Sequence, residues 1–190
     1  MNETPRCPWC GDDPLYVAYH DEEWGRPERD DRKLFEMLIL EGAQAGLSWI
    51  TILRKREGYR AAFHGFQPEK VAAMTEDDVE RLMLDAGIVR NRLKINSAIR
   101  NAKVFLQMQR QHGSFADWLW AHVDGKPILR RRDDERVPAS TELSDHVSKA
   151  LKKAGMNFVG STVVYAYLQA CGVVNDHLPG CFLHPEPAGR

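Results

Sequence analysis

The chain has 190 residues, 43% of them hydrophobic, and 26 Lys and Arg against 27 Asp and Glu leave a formal net charge of −1. Such a composition suits one folded domain, or two small lobes sharing a cleft, and argues against indiscriminate nucleic-acid binding driven by net charge. No apolar run reaches membrane-spanning length, Met1 to Pro14 carries no signal-peptide core, and four cysteines are too few for a disulfide scaffold, so the expectation is a cytoplasmic protein with thiols or metal ligands.

In chain order, Cys7-Pro8-Trp9-Cys10 comes first, followed by a segment from Leu15 to Gly25 in which Tyr16 and Tyr19 share one side of a helix. Residues 30–45 and 48–57 predict two helices separated near Gly46. Pro68 is placed as N1 of a short helix through Met74, and Thr75 with Asp78 forms a capping box with Asp in place of Glu, opening a helix to about Ala86. Asn91 to Gln111 is a long amphipathic helix with Ile95, Ala98, Ile99, Ala102, Phe105 and Leu106 on one face. Ser114 to His122 is shorter, and 124–138, with two prolines and an Arg run, reads as a loop. Ser144 starts a helix that stops at Gly155. Gly160 to Cys171 is apolar nearly all round and is expected to be the central buried helix. No strand is expected. The domain spans 1–184, and 185–190 is a loose tail.

Leu34, Leu38, Glu41 and Ala45 follow the i, i+4, i+7, i+11 spacing of one helix face, and that face is otherwise apolar. A carboxylate there must be paired, protonated or part of a site, because burying an unpaired charge is costly. Trp9, Tyr16, Tyr19, Trp24 and Trp49 crowd into the first quarter of the chain. Aromatic stripes more often build cores, but Tyr and Trp need hydrogen-bond partners when buried, and base-stacking platforms use these same side chains. Trp49 is close enough in sequence to line a cavity with Glu41.

Charge is unevenly distributed. Ala86 to Gly113 contains no Asp or Glu but holds Arg90, Arg92, Lys94, Arg100, Lys103 and Arg110, with Arg130, Arg131, Arg132, Lys149, Lys152 and Lys153 further on. A basic face on a neutral protein suits a directed polyanion contact, although a solvated helix face gives the same pattern. Leu82 to Arg92 joins two helices through a Gly87-containing turn. Its second helix would offer backbone N–H groups to a phosphate. Cys7 or Cys10 with His20, and His177 with Cys181, could close a tetrahedral zinc site of structural type clamping the two ends of the chain. The competing readings are unrelated buried residues and a Cys7/Cys10 redox pair. The redox pair lacks the strand-to-helix setting of thioredoxin-like motifs.

Pro14-Leu15-Tyr16-Val17-Ala18-Tyr19-His20-Asp21-Glu22-Glu23-Trp24-Gly25, Leu40-Glu41-Gly42-Ala43-Gln44-Ala45-Gly46-Leu47-Ser48-Trp49, Asp85 to Arg90, Phe158 to Thr162 and Gln169 to His177 resemble, in order, the 3-methyladenine DNA glycosylase I family. The resemblance runs from Cys7 to Cys181. It implies an all-α, helix-hairpin-helix DNA glycosylase fold with a zinc-stapled lobe formed by the N- and C-terminal segments. It implies a monofunctional enzyme releasing free 3-methyladenine from alkylated double-stranded DNA, acting as a monomer. The family's functional residues fall on Cys7, His20, His177 and Cys181 for one structural zinc ion, with no role for Cys10. They fall on Glu41, Tyr16, Tyr19 and Trp49 for the base, with Glu41 as the catalytic group, and on Gly46, Leu47, Gly87, Arg90, Arg92 and Lys94 for DNA.

The chemistry follows from the substrate. A base must be flipped out of the duplex to be reached. Methylation at N3 makes adenine cationic and already a good leaving group, so recognition is harder than bond breaking. Residues 86–113 supply no acid to assist attack on the sugar, and no lyase-type Lys is evident. The alternatives are a related helical glycosylase or lyase with another damaged-base specificity and a zinc-stabilised nucleic-acid-binding module without catalysis.

Overall fold

A computed structural model of the chain describes residues 4–129 and 137–185. Arg130, Arg131, Arg132 and the tail beyond residue 185 lie outside the described residues. Among the described residues ten helices carry the fold: α1 (Pro14–Glu22), α2 (Asp31–Ala43), α3 (Trp49–Arg54), α4 (Arg56–Ala62), α5 (Pro68–Ala72), α6 (Glu76–Leu82), α7 (Arg92–His112), α8 (Phe115–Ala121), α9 (Glu142–Ala154) and α10 (Ser161–Ala170). Short 3-10 turns lie at Pro8–Cys10 and His64–Phe66.

Local chemistry explains most of the starts. Asp13 caps α1 by accepting the Leu15 N–H, with Pro14 at the position where no N–H is needed. Asp30 caps α2 through the Lys33 N–H, and Ser114 caps α8 through the Asp117 N–H. The Asp78 carboxylate accepts the Thr75 N–H, as the capping-box spacing requires. Asp31 reaches further. Its carboxylate accepts the N–H groups of Phe115 and Ala116 at 2.9 and 2.8 Å and the Gln109 side chain at 2.7 Å. A single anion at the N-terminus of α8 thus fastens α2, α7 and α8 together.

The structure departs from the sequence reading at several points. Residues 48–57 are two helices, not one, because Lys55 takes φ −95°, ψ 0° and breaks the ladder before α4. The helix after Thr75 stops at Leu82, and the turn to α7 takes up the rest. A small parallel pair exists, β1 (Ile128–Leu129) with β2 (Val174–Asn175), where tertiary packing brings two short segments side by side. Finally, α10 shares the centre with α2, whose residues from Leu34 to Ala43 are buried on every face. Ala45 lies beyond the end of α2, past the last turn that carries Leu34, Leu38 and Glu41.

Gly58 on α4 meets Gly87 of the turn between α6 and α7. A Cβ at Gly58 would lie 2.2 Å from the Gly87 carbonyl oxygen, which backbone cannot yield. Beside it the Tyr59 hydroxyl accepts the Val89 N–H at 3.2 Å and the Lys55 ammonium donates to the Ala86 carbonyl at 2.7 Å. The hairpin turn is therefore held by α4. Gly58→Ala is expected to cost about 2–3 kcal/mol through overpacking. Urea denaturation checks this, and a loss within experimental error would mean the contact is slack.

Candidate active site and metal centre

Glu41 sits on the last turn of α2 and is 4% exposed. Among the described residues its carboxylate has no hydrogen bond and no ion pair. The contrast with Glu36 on the same helix is instructive. Glu36 is also buried, but it accepts from Arg56 Nε at 2.6 Å and Arg60 Nε at 3.0 Å. Burial with no compensating partner pushes the Glu41 carboxyl up to about 8. It faces a cavity of about 350 Å³ lined by Trp9, Tyr16, Tyr19, Trp24, Gln44, Trp49, Val137, Ala166 and Gln169. That volume is in the range of small-molecule sites.

The aromatic walls are mutually braced. Tyr19 packs on Trp49 with ring centroids 5.4 Å apart, and Trp9 lies 5.2 Å from Tyr16 and 4.9 Å from Trp24. Trp49 Nε1 is buried with no hydrogen-bond partner among the described residues, a donor left over at the cavity wall. Tyr19 is fully buried, and desolvation together with the Glu41 charge pushes its phenol well above its ordinary value, so it is a hydrogen-bond donor throughout the physiological range. The sequence reading named Glu41, Tyr16, Tyr19 and Trp49, and all four line this one cavity. It missed Gln44, Ala166 and Gln169. The α10 pair comes from the far end of the chain, inside a helix whose apolar pattern reads only as core. A second cleft of about 390 Å³ lies near Glu23, Lys33, Arg56 and Arg60, where the main charges already neutralise one another.

Cys7, His20, His177 and Cys181 are all buried, with their ligand atoms within 4.8 Å of one another. Cys181 Sγ is 3.5 Å from His20 Nε2 and 3.6 Å from His177 Nδ1, and Cys7 Sγ is 3.6 Å from His177 Nδ1. The outer ring nitrogens are engaged elsewhere. His20 Nδ1–H donates to Asp21 at 2.7 Å, and Arg6 clamps Asp21 in turn. His177 Nε2–H donates to the Trp24 carbonyl at 3.1 Å. Both imidazoles therefore direct lone pairs inward, and the sulfurs accept backbone N–H groups from Leu178 and Leu183. Burial pushes the Cys7 thiol up and the His177 imidazole down to about 4, so a neutral imidazole is ready to ligate while the thiol needs a cation to release its proton. The donor set fits a metal ion. Cys10 lies outside this cluster, its thiol donating to the Cys7 carbonyl at 3.2 Å.

The metal cluster and the cavity share walls. Trp24 packs edge-on against His177 at 4.7 Å, and Trp9 against His20 at 5.2 Å. Gly25, at φ +77°, lets the backbone wrap His177 where a Cβ would lie 2.9 Å from its Nε2.

The residues expected at DNA divide into groups. Gly46, at φ +79°, and Leu47, 40% exposed, form an open turn after α2. Arg90 is exposed and makes no hydrogen bond or ion pair among the described residues. Arg92 pairs with Glu76 and Glu80. Lys94 instead points inward, donating to the Ala43 and Ala45 carbonyls at 2.8 and 2.6 Å, where burial lowers its pKa. The α7 N-terminus is partly satisfied already, with the Lys94 N–H donating to Asn91, and in the turn before it the Gly87 N–H donates to Asp85.

Solved structures of the same architecture are helical DNA glycosylases. A 3-methyladenine DNA glycosylase I superposes with a TM-score of 0.92 at 57% identity, covering 95% of this chain and 100% of that one. Another, carrying a Tyr-to-Phe substitution and solved in complex with 3-methyladenine, gives 0.90 at 39% identity, covering 98% and 100%. The chain belongs to the methyladenine glycosylase family, whose sequence model matches residues 9–184. Over 181 residues it is 56% identical to DNA-3-methyladenine glycosylase 1 of Escherichia coli K12, covering 95% of this chain and 97% of that protein.

An unpaired Glu41 has a consequence for stability. A glutamate in an unfolded chain titrates near about 4.3. Between there and about 8 the folded protein holds a proton that the unfolded chain has released, so stability falls as pH rises through this window and stays low above it. Glu41→Gln is expected to raise Tm at pH 8 by about 3 °C or more, with the gain shrinking toward pH 5. Scanning calorimetry at the two pH values reads this, and an equal gain at both would show that Glu41 is compensated.

Proposed function

We propose that the protein is a monofunctional DNA glycosylase that hydrolyses the N-glycosidic bond of 3-methyladenine in alkylated DNA, releasing the free base and leaving an abasic site. The observation that carries the reading is Glu41, an unpartnered carboxylate in a cavity walled by Trp and Tyr. A cationic flat ring supplies what this site lacks. Its charge compensates the carboxylate, lowering the Glu41 pKa on binding, and its faces stack on Trp49 and Tyr16, a cation–π gain of about 0.5–2 kcal/mol. Tyr19 donates to the ring edge. Normal adenine brings no charge and leaves Glu41 either protonated or uncompensated, which is a basis for discrimination.

The substrate is double-stranded DNA, from which the base is flipped into the cavity. Leu47, exposed on the Gly46 turn, fills the space the nucleotide leaves. Arg90 and the start of α7 hold phosphate near Gly87, with Arg92 joining by exchanging Glu76 and Glu80 for the backbone. Lys94 supports the reading indirectly. Its ammonium is engaged by the Ala43 and Ala45 carbonyls, which suits a glycosylase without lyase activity and ties the hairpin to the Leu47 turn.

Two thiolates and two imidazoles in a closed set favour one zinc ion of structural type. Bound there, it supplies charge for the thiolates and joins the two chain ends; no position remains for a reacting water. The protein acts as a monomer in the cytoplasm. No helix among the described residues is long and apolar enough to cross a membrane.

Free-base chromatography of methylated duplex DNA treated with the protein is expected to show 3-methyladenine. Glu41→Gln should lower kcat/KM about 10- to 100-fold, the worth of a hydrogen bond to a charged group. DNA binding with no base released would leave only a binding module. For the metal, atomic emission should find zinc in the wild type and in Cys10→Ser but not in Cys7→Ser, which should also melt earlier. Equal zinc in the two variants would move the ligand to another thiol.

A further inference from the structure

Gln169 comes from α10, enters the cavity opposite the N-terminal aromatics, and is 9% exposed. Its carboxamide orientation is dictated by a neighbour. Nε2 donates to the Asp176 carboxylate at 2.9 Å, and Asp176, 1% exposed, also accepts the Tyr165 hydroxyl. The Asp176 oxygen that accepts from Tyr165 also accepts from Gln169, and this holds the NH₂ end of Gln169 toward Asp176. The Gln169 carbonyl oxygen is the end left for the cavity, and it has no hydrogen-bond donor among the described residues. The backbone is fixed as well, since the Gln169 carbonyl accepts the Gly25 N–H at 3.0 Å.

Gln169 Oε1 thus stands as an acceptor in the same cavity as Glu41. Adenine carries a 6-amino group with two N–H donors, whereas guanine carries an acceptor oxygen at the same position. We infer that Gln169, aligned by Asp176, is a specificity-determining residue that accepts a hydrogen bond from the 6-amino group of the flipped base and so disfavours 3-methylguanine. An oxygen of guanine set against the Gln169 oxygen leaves two acceptors facing each other, desolvated and unsatisfied. The inference deepens the reading of the site as a 3-methyladenine pocket and rests on it.

The test measures initial rates of 3-methyladenine and 3-methylguanine release from one methylated duplex by wild type and Gln169→Met, a substitution of similar shape with neither amide group. The expected result is a fall of about tenfold or more in 3-methyladenine release, with the 3-methylguanine to 3-methyladenine ratio rising by a similar factor. Equal loss of both activities, with the ratio unchanged, would make Gln169 merely structural and overturn the proposal. Gln169→Met also takes a donor from buried Asp176. Should that variant fail to fold, Gln169→Met combined with Asp176→Asn carries the test, since the Asn oxygen still accepts from Tyr165 and no carboxylate is left without its Gln169 donor. The ratio should again rise about tenfold, and an unchanged ratio in the folded double variant would overturn the proposal. Absence of 3-methyladenine release by the wild type would appear in its own arm, and would sink the functional reading and this inference together.

Discussion

Ionising a carboxyl group inside a protein is costly unless something compensates the charge, and Glu41 stands in its folded surroundings with no compensating group. Much of the architecture serves to keep it there. Its helix is buried on every face, so the residue cannot swing out to water. The start of that helix is pinned by Asp30 and by Asp31 on the N-terminus of α8. Its end is pinned by Lys94, which takes the Ala43 and Ala45 carbonyls. Glu36, one and a half turns earlier, shows the ordinary solution to the same problem: two arginines close around it. The chain had arginines to spend on α2 and placed them at Glu36. An unsatisfied acid at Glu41 is a stored preference for a cation of the right shape.

The cavity around that acid is assembled from both ends of the chain. Trp9 and Trp24 stand between the base-sized space and the rings of His20 and His177, so the metal ligands act as backing for the aromatic wall. Arg6 and Asp21 fix the outer nitrogen of His20, and the Trp24 carbonyl fixes that of His177. A metal ion held by this cluster would do more than join its residues: it would also fix the positions of the rings packed against them.

The DNA-facing elements are linked to the same frame. Gly58 against Gly87 seats the hairpin turn on α4, and Lys94 connects the first turn of α7 to the Gly46 and Leu47 turn at the cavity mouth. The turn proposed for phosphate, the side chain proposed to fill the gap and the acid proposed to read the base are thereby held in one frame.

Much of this was legible in the sequence. The helical period, the Asp and Ser caps and the hairpin depend on neighbours a few residues apart, and so does the oddity of Glu41 on an apolar face. The Cys and His residues and the run of aromatics were visible as composition, and the family resemblance gave them roles. What the tertiary structure decided rests on contacts between distant residues. It separated Cys7 from Cys10, because, of these two, it is the Cys7 thiol that reaches His177. It turned Lys94 from a surface cation into a strut, since local sequence carries no record of the carbonyls fifty residues away. It brought Gln169 across to Glu41 and let Asp176 choose which end of its amide faces the cavity. Periodicity determines which face of a helix is buried. Only the packed fold determines what a buried polar group meets there.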